Sequence, residues 1–356
     1  MDIKKELKDF KKKIDPEIEK FLEAEIKELV KKDKFVTGIL EHAKKITMSG
    51  GKRLRPALMC QGFIAAGGNK NDERILKAAV SVELLHFFLL IHDDIIDRDE
   101  KRHGVVTTHE KYFQIGKMLQ KNKNSRHFGN SIAIIAGDML HALGNISLYK
   151  SGFDADVILK SLENLQNVVA MTIVGESQDV VIEFKGKATE KEVLDVYVNK
   201  TAKYTVEGPL QTGAILAGAD EKILNDLSKI SIPLGVAFQI QDDILGIFGK
   251  EEKIGKPVGS DIEEGKQTIL VVKALENASS KQKKSINNIL GKKGLSEDEI
   301  LEFKNAILET GSLKYAKDLA LRYIEEGKKE IEKSNINSET KEFLIGIADY
   351  MASREI

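Results

Sequence analysis

Apolar side chains recur at intervals of three and four residues through most of this 356-residue chain. That spacing places them along one face of an α-helix, whereas no segment keeps up the strict alternation of a half-buried strand. Only five prolines interrupt the pattern. The sequence therefore predicts an all-α fold with no sheet. The clearest helical tracts are residues 20–30, 75–97, 131–149, 157–184, 190–217 and 222–248.

Segments rich in Gly, Asn, Ser or Lys separate these tracts and are predicted to be loops. They cover residues 49–51, 67–72, 121–130, 185–189, 249–265 and 291–296. Helical proteins of this length often keep a single core. We therefore predict one domain over residues 1–356, with its motifs at about 45–275 and further helices at 276–356.

Charge and cysteine content narrow the choice of partners and compartment. The formal net charge of −1 argues against a general affinity for nucleic acid. The single cysteine, Cys60, cannot form an internal disulfide, which is typical of cytoplasmic proteins. The start of the chain has no signal-peptide pattern. The most apolar run, 80–91, is shorter than the ~20 residues of a membrane span, so we predict no stable membrane insertion.

Three aspartates, Asp93, Asp94 and Asp97, follow the apolar run 84–91. Their spacing brings them onto one face of a helix, where they repel one another unless cations are present. Such a cluster of hard oxygen donors suits Mg²⁺, which prefers a few carboxylates together with phosphate oxygens and water. A solvated acidic face is the ordinary alternative. We favour metal binding because the apolar run should bury the helix beside the cluster.

A second acidic pair, Asp242 and Asp243, ends another apolar helix after Phe238 and Gln239. Either motif alone would be a weak indication of a metal site. Two such motifs, with basic residues between and around them, suggest Mg²⁺ ions that hold a diphosphate from both sides. The sequence therefore favours phosphate chemistry.

Basic residues accompany both acidic motifs. Lys52, Arg53 and Arg55 follow a Gly-Gly turn that could receive phosphate oxygens, although an ordinary basic helix start would look similar. Further cations near the aspartates are Arg102, Lys200, Lys256 and Lys266. Any one of these alone is more often a solvated surface charge. Their positions relative to the aspartates are what indicate a role.

In order and spacing, these motifs resemble those of the trans-isoprenyl diphosphate synthase (polyprenyl synthetase) family, and among its members the archaeal-type geranylgeranyl diphosphate synthases. The residues that carry the resemblance are Gly50–Pro56, His86, His92–Asp97, Arg102, Lys200, Thr201, Phe238–Asp243, Gly255 and Lys256. Such a set is far more specific than a single Asp-rich motif. The resemblance extends from about residue 50 to residue 268, and the terminal regions add little to it.

The resemblance implies the isoprenoid synthase fold, a single-domain bundle of mostly antiparallel helices around a deep central cavity, built as a homodimer. It also implies a prenyltransferase reaction. Isopentenyl diphosphate would be joined to C5, C10 or C15 allylic diphosphates after Mg²⁺-assisted ionisation, with three Mg²⁺ ions in each active site.

By the same resemblance, the family's roles fall on matching residues of this chain. The implied Mg²⁺ ligands are Asp93, Asp97 and Asp242, supported by Asp94 and Asp243. The residues implied to bind the allylic diphosphate are Arg102, Lys200, Lys256 and Lys266. Those implied to bind isopentenyl diphosphate are Lys52, Arg55, His86 and His103. The groups implied to steady the allylic cation are the Lys200 carbonyl, the Thr201 hydroxyl and the Gln239 amide.

Two positions depart from the family pattern. His103 stands where the family usually has a second arginine that contacts isopentenyl diphosphate. Because histidine is partly protonated near neutral pH, we expect weaker binding that tightens as the pH falls. Gly246 stands where many members have a third aspartate, so a thinner water-mediated metal shell is expected. These departures leave open a non-catalytic partner subunit of a heteromeric synthase, although such subunits typically lose the first aspartates or Lys200.

Phe88, five residues before Asp93 and followed by the non-aromatic Leu89, resembles the arrangement in C20-forming members. We predict that Phe88 forms the floor of the cavity and that the product is geranylgeranyl diphosphate. Phe88 could instead only pack against neighbouring helices, as core aromatics often do. Farnesyl or longer products therefore stay open. A terpene cyclase is disfavoured because its second metal motif differs from Phe-Gln-x-x-Asp-Asp.

Overall fold

The computed structural model describes residues 2–31, 33–120, 123–249 and 259–353, and most of them are helical. The all-α prediction is confirmed. The helices are α1 (Ile3–Val30), α2 (Lys34–Met48), α3 (Leu54–Ala65), α4 (Glu73–Asp97), α5 (Thr108–Leu119), α6 (Ser125–Tyr149), α7 (Ala155–Lys185), α8 (Glu190–Val196), α9 (Gly208–Leu216), α10 (Glu221–Phe248), α11 (Ser260–Glu264), α12 (Ile269–Asn277), α13 (Ser280–Ile289), α14 (Glu297–Glu309), α15 (Ser312–Lys333) and α16 (Ser338–Ala352).

The predicted helical tracts lie within observed helical structure to within one residue, but α1 begins well before residue 20. It starts at Ile3, where the side chain of Asp2 accepts hydrogen bonds from the backbone N–H groups of Lys4 and Lys5. It then continues through Pro16. The cap satisfies backbone donors that an uncapped helix start would leave without partners.

The predicted loops 121–130 and 249–265 were wrong over part of their length, because α6 begins at Ser125 and α11 lies inside the second loop. The Asn124 side chain caps α6 by accepting a hydrogen bond from the His127 N–H at 3.0 Å. Gly129 lies so close to the backbone of α5 that a side chain there would overlap it. Residues that looked like loop residues in the sequence thus serve as a helix cap and a helix contact.

A short hairpin contradicts the expectation of no sheet. Strand β1 (Lys101–Arg102) pairs antiparallel with β2 (Val105–Val106). Between them, His103 and Gly104 have φ of 50° and 77°, the left-handed pair that a two-residue hairpin turn requires. Because the hairpin follows α4 directly, it returns Arg102 to the acidic end of that helix.

The predicted tract 190–217 contains a π-helical segment. Residues Tyr197–Glu207 form it between α8 and α9, and helical backbone angles at both junctions make the three pieces one continuous helix. Long π-helical segments are rare, and shorter ones are frequent at functional sites. α7 lies close against this segment, since a Cβ on Gly175 would be 2.8 Å from Lys200 Cα.

Helices α3 and α9 approach each other through facing glycines. A Cβ on Gly62 would overlap the carbonyl of Leu210, and a Cβ on Gly213 would overlap the carbonyl of Met59. Backbone carbonyls cannot swing aside as flexible side chains do. The contact between these two helices therefore depends on glycine on both sides.

Buried apolar side chains form connected clusters that hold these helices together. One cluster joins α4 to α1, α2, α3, α6 and α7. Helix α10 contributes to two others, one with α8 and α11–α15 and one with α3, α9 and α16. Burying each large aliphatic side chain stabilises the fold by about 1.5–3 kcal/mol. α4 and α10, which carry the aspartate motifs, are thus fixed by the core.

Three helices, α4, α6 and α10, are long and apolar enough to cross a membrane by length and composition. The sequence run 80–91 is therefore only the centre of a longer apolar helix, α4. The apolar windows of the three helices are 67%, 50% and 78% buried against the rest of the fold. Packing within the protein accounts for half or more of each apolar surface.

Candidate active site

The first aspartate motif lies at the C-terminal end of α4. Asp94 and Asp97 are buried, with 1% and 8% of their surface exposed, and Asp93 is half-buried. Asp94 Oδ2 has no hydrogen-bond partner among the described atoms. Burial raises the pKa of Asp94 to about 6, against the opposing charge of Arg102. Carboxylates are thus gathered where little water can solvate them.

Arg102 offsets part of this acidic charge. Its Nε donates to Asp94 Oδ1 at 2.6 Å, and its Nη2 lies 3.2 Å from Asp99 and 3.7 Å from Asp93. The hairpin that holds Arg102 therefore supplies a cation to α4 itself. Its predicted contact with an allylic diphosphate would require the guanidinium to exchange or share these carboxylate partners.

Lys200, in the π-helical segment, approaches the same cluster from the side of α7. Its Nζ lies 2.8 Å from both Glu176 and Asp179 and 3.7 Å from Asp93. Burial raises the pKa of Glu176, against the opposing charge of Lys200. These two acids of α7 were not among the predicted site residues, although their spacing of three residues repeats that of Asp94 and Asp97 and could have indicated them.

Lys266 is the third cation that contacts the first motif. Its Nζ lies 3.0 Å from Asp97 and 2.9 Å from Glu264. Although burial acts to lower it, the carboxylates of Asp97 and Asp261 hold the pKa of Lys266 well above its usual range. The structure therefore brings together Asp93, Asp94, Asp97, Arg102, Lys200 and Lys266, as their sequence positions indicated. Lys256 lies outside the described residues.

The second aspartate motif lies on α10 beside the π-helical segment. Asp243 is buried and accepts hydrogen bonds from the Tyr197 hydroxyl and, at 2.7 Å, from Gln239 Nε2. Burial raises the pKa of Asp243 to about 8, and these two hydrogen bonds oppose the rise. Thr201 Oγ1 donates to Gln239 Oε1 at 2.7 Å. The half-buried Asp242 precedes this network.

The space beside Gly246 is filled by a carboxylate from another helix. A Cβ on Gly246 would overlap Asp261 Oδ2 and lie 3.2 Å from its Cγ. Asp261 belongs to α11, and its charge contributes to the raised pKa of Asp243. A third acid thus stands near the second motif although residue 246 has no side chain. Sequence spacing did not indicate it, because Asp261 belongs to a separate helix, α11, and not to the motif on α10.

Two of the residues predicted to bind isopentenyl diphosphate, Arg55 and His86, meet at Tyr204, whereas Lys52 has a separate contact. Arg55 Nη2 donates to Thr205 Oγ1 at 2.8 Å, and its guanidinium lies 4.4 Å from the centre of the Tyr204 ring. His86 Nδ1 lies 2.5 Å from the same Tyr204 hydroxyl. Lys52 Nζ donates to the Tyr350 hydroxyl of α16. The two tyrosines and Thr205 were not among the predicted site residues.

His103 lies near these residues, but it is less readily protonated than the sequence led us to expect. Its ring packs on the backbone of Gly50, where a Cβ would be 2.7 Å from His103 Cγ. Burial lowers the pKa of His103, and the charges of Arg102, Arg53 and Lys11 lower it further. Protonation would therefore require a more acidic pH than the sequence alone suggested.

Phe88 is buried between two histidines. Its ring centre lies 4.9 Å from that of His92 and 5.1 Å from that of His141 on α6. The half-buried Leu89 follows it on the side of α4 that carries His86 and Asp93. The structure thus places Phe88 in the packing between α4 and α6.

Mg²⁺ fits the donors at the first motif, but the protein alone does not complete a site for it. Among the described residues, no three acidic, histidine or cysteine side chains converge closely enough to hold a metal ion. The buried, unpartnered Asp94 Oδ2 and the half-buried Asp93 are hard oxygen donors. Mg²⁺ is commonly held by one or two carboxylates plus substrate phosphates and water. The arrangement suits an ion that arrives with a diphosphate.

Comparison with known proteins gives consistent matches. The Polyprenyl synthetase family model matches residues 37–307. Geranylgeranyl diphosphate synthase of Saccharolobus solfataricus is 37% identical, over 82% of this chain and 83% of its own. Geranylfarnesyl diphosphate synthase of Aeropyrum pernix is 33% identical, over 86% and 91%. The structure of geranylgeranyl pyrophosphate synthase from Corynebacterium glutamicum, complexed with isoprenyl diphosphate and magnesium, superposes with a TM-score of 0.92, at 30% identity over 97% and 99%.

Proposed function

Because the chain belongs to the polyprenyl synthetase family and is a trans-prenyltransferase, we propose that it joins isopentenyl diphosphate to allylic diphosphates and releases mainly geranylgeranyl diphosphate. The observation that carries this proposal is the meeting of cations with the first aspartate motif. Lys200 Nζ lies 3.7 Å from Asp93, and Lys266 Nζ lies 3.0 Å from Asp97. These cations stand where a metal-bound diphosphate would need counter-charges.

The chain's charged residues would assist the loss of the allylic diphosphate. Mg²⁺, as the family's cofactor, would supply charge neutralisation on that leaving group. We infer that Asp93, Asp97 and Asp242 hold it, with three ions in each site. Once their carboxylate partners face metal ions, Lys200 and Lys266 can donate to phosphate oxygens instead. Arg102 and Lys256 are proposed to act in the same way.

Neutral dipoles would steady the allylic cation without trapping it. The hydrogen bonds from Thr201 to Gln239 and from Gln239 to Asp243, both 2.7 Å, fix the orientation of the hydroxyl and the amide. We infer that these groups and the Lys200 carbonyl face the cation. No protein nucleophile is required, because the isopentenyl double bond attacks the cation and the released diphosphate accepts the final proton.

Isopentenyl diphosphate would be held by Lys52, Arg55 and His86, with His103 at the edge. Burial lowers the pKa of His86 well below its usual value, so its imidazole is neutral. When the Tyr204 hydroxyl donates to Nδ1, the opposite ring nitrogen carries the proton and can donate to phosphate. Arg55 is suited to the same task because its planar guanidinium can bind phosphate in a bidentate manner.

We also propose that the protein acts in the cytoplasm as a homodimer of single-domain chains. Apolar side chains on the outer faces of α6 and α7 support this assembly. Ile135, Leu159 and Phe184 are 50%, 68% and 94% exposed in the single chain. A second copy of the chain packed against these helices would remove such exposed apolar side chains from water.

Product length tests the proposal most directly. We expect the purified protein, given Mg²⁺, labelled isopentenyl diphosphate and a C5, C10 or C15 allylic starter, to make mainly a C20 product in each case. Chromatography of the products measures this. The name of the Aeropyrum pernix relative indicates a C25 product for that protein. A C25 main product here would support the proposed reaction and contradict the proposed product length. Folded protein with no turnover would favour the partner-subunit alternative.

Replacing Phe88 with alanine is expected to shift the main product from C20 to C25 or longer, because we propose that this ring, which packs between α4 and α6, also forms the floor of the substrate cavity. Phe87→Ala removes the same ring one position away and should leave the length unchanged. Each substitution is expected to cost about 3–5 kcal/mol of stability, so circular dichroism must first confirm folding. Unchanged products from Phe88→Ala would show that Phe88 only packs α4 against α6.

Replacing Arg55 with alanine is expected to raise the KM for isopentenyl diphosphate about tenfold or more and to leave the KM for the allylic diphosphate nearly unchanged. A charge-assisted hydrogen bond contributes about 1.5–3 kcal/mol, and about 1.4 kcal/mol is a factor of ten. Arg55→Lys keeps the charge but lacks the planar guanidinium. Its KM for isopentenyl diphosphate should lie between those of the native protein and Arg55→Ala. Steady-state kinetics with each substrate varied in turn would measure both KM values. Equal changes in the two would show that Arg55 does not belong to the isopentenyl diphosphate site.

A further inference from the structure

We propose that Arg53, held by Asp15 of α1 and Glu83 of α4, is the positioning residue for the isopentenyl diphosphate loop, residues 50–55, so that the N-terminal helix is part of that site. The inference rests on the proposed function, in which Lys52 and Arg55 bind this substrate. The terminal regions add little to the family resemblance. In the structure, however, α1 contacts the loop directly.

Arg53 differs from its basic neighbours in being buried. Only 1% of its surface is exposed, and its guanidinium contacts three different elements of the fold. Nε donates to Asp15 at 2.6 Å, Nη1 donates to Glu83 at 2.6 Å, and Nη2 donates to the Thr47 carbonyl at 2.8 Å. Every nitrogen of the guanidinium is used within the protein. Arg53 is therefore occupied by structural contacts and not available to a phosphate.

The backbone at Arg53 explains why this anchoring affects its neighbours. Arg53 has φ of 55° and ψ of 37°, the left-handed conformation, immediately before α3. This conformation costs a non-glycine residue about 1–2 kcal/mol, so other contacts must hold it in place. With Arg53 anchored inward, Lys52 reaches Tyr350 and Arg55 reaches Thr205. The turn thus separates the buried arginine from the two substrate-binding cations.

α1 also holds the main chain of the loop. Lys11 Nζ donates to the carbonyl of Gly51 at 2.8 Å and lies 3.7 Å from Asp15, one turn along the same helix. On α4, Glu83 lies one turn before His86, another proposed ligand of isopentenyl diphosphate. The network therefore fixes Lys52, Arg55 and His86 relative to one another.

A buried ion pair of this kind is weak evidence for a purely stabilising role. Well-packed apolar residues often replace buried ion pairs with no loss of stability, because desolvation offsets the attraction between the charges. What apolar residues cannot supply is the fixed geometry of charge-assisted hydrogen bonds to a planar guanidinium. Arg53 is thus suited to setting the position of the loop.

The test is Asp15→Asn, which keeps the shape of the side chain and removes its charge. We expect the KM for isopentenyl diphosphate to rise about tenfold, with kcat and the allylic KM within about twofold of the native values. Arg53→Lys should have the same effect, because lysine lacks the planar guanidinium. Asp15→Glu should recover most of the affinity. The matched control is Asp9→Asn on α1, since Asp9 pairs with Lys12 on an exposed face.

Two results would overturn the inference. One is a native isopentenyl KM in folded Asp15→Asn and Arg53→Lys. The other is an equal deterioration of kcat and both KM values together with lower thermal stability, which would indicate a structural role only. Arg55→Ala separates this inference from its premise. If Arg55→Ala raises the isopentenyl KM and Asp15→Asn does not, the proposed function stands and the positioning role fails. If Arg55→Ala has no effect, the substrate site itself is misassigned.

Discussion

Replacing Asp93 with alanine is expected to lower kcat/KM by about 10³-fold. Asp93 is the half-buried member of the first motif, and the cations of Lys200 and Arg102 both lie 3.7 Å from its carboxylate. The substitution removes a proposed Mg²⁺ ligand and leaves two cations near each other with less opposing charge. Loss of a group that stabilises charge in the transition state typically costs about 10²–10³ in rate.

Activity as a function of Mg²⁺ concentration would identify the cause of that loss. We expect Asp93→Ala to need far more Mg²⁺ for half-maximal turnover, and calorimetry with Mg²⁺ and inorganic diphosphate should show weaker binding. Asp138→Ala on α6 is a suitable control, because its side chain is 68% exposed and its carboxylate lies 3.8 Å from the His92 Nε2 atom. If Asp93→Ala kept native activity, Asp93 could not be a ligand of the catalytic Mg²⁺.

Replacing Gly213 with alanine is expected to lower the free energy of unfolding by about 3 kcal/mol. The added Cβ would overlap the Met59 carbonyl, which is backbone and can yield only if α3 and α9 separate. Separation would also disturb the contact between Arg55 at the start of α3 and Thr205, which lies in the helix that continues into α9. Urea unfolding monitored by circular dichroism measures the loss.

Gly38→Ala is the matched control for that experiment. A Cβ on Gly38, within α2, would meet only the Tyr112 hydroxyl, at 3.8 Å. The same change there should be neutral or stabilise the protein by up to about 1 kcal/mol, because alanine favours helix more than glycine does. Equal stability of Gly213→Ala and the native protein would mean that the two helices separate at little cost.

The sequence predicted those features that depend on residues close together in the chain. Three- and four-residue spacing of apolar side chains located the helices, and the motif at Asp93, Asp94 and Asp97 was visible because one helical turn brings these residues together. The extent of α6 was missed because Gly129 and its polar neighbours resemble a loop until α5 is seen to pack against them. Local patterns do not reveal such a requirement.

The features that the sequence did not predict arise from contacts between distant segments. Asp261 lies against Gly246 from another helix, and Asp15 reaches Arg53 from α1. In each case the partner is one of 56 acidic residues, so nothing in its type distinguishes it. The π-helical register was also hidden, because the same spacing of apolar residues fits an ordinary helix over so short a stretch.

The π-helical segment Tyr197–Glu207 constrains how this protein can evolve. On one side of it Lys200 lies against Gly175 of α7, and beyond its other end Gly213 lies against Met59 of α3. Deleting or inserting one residue between these contacts would turn α9 by about 100° about its axis. Gly213 would then point away from α3 and a larger side chain would take its place. A one-residue insertion or deletion here is therefore expected to disturb the packing more than a substitution at an exposed position of the same helix.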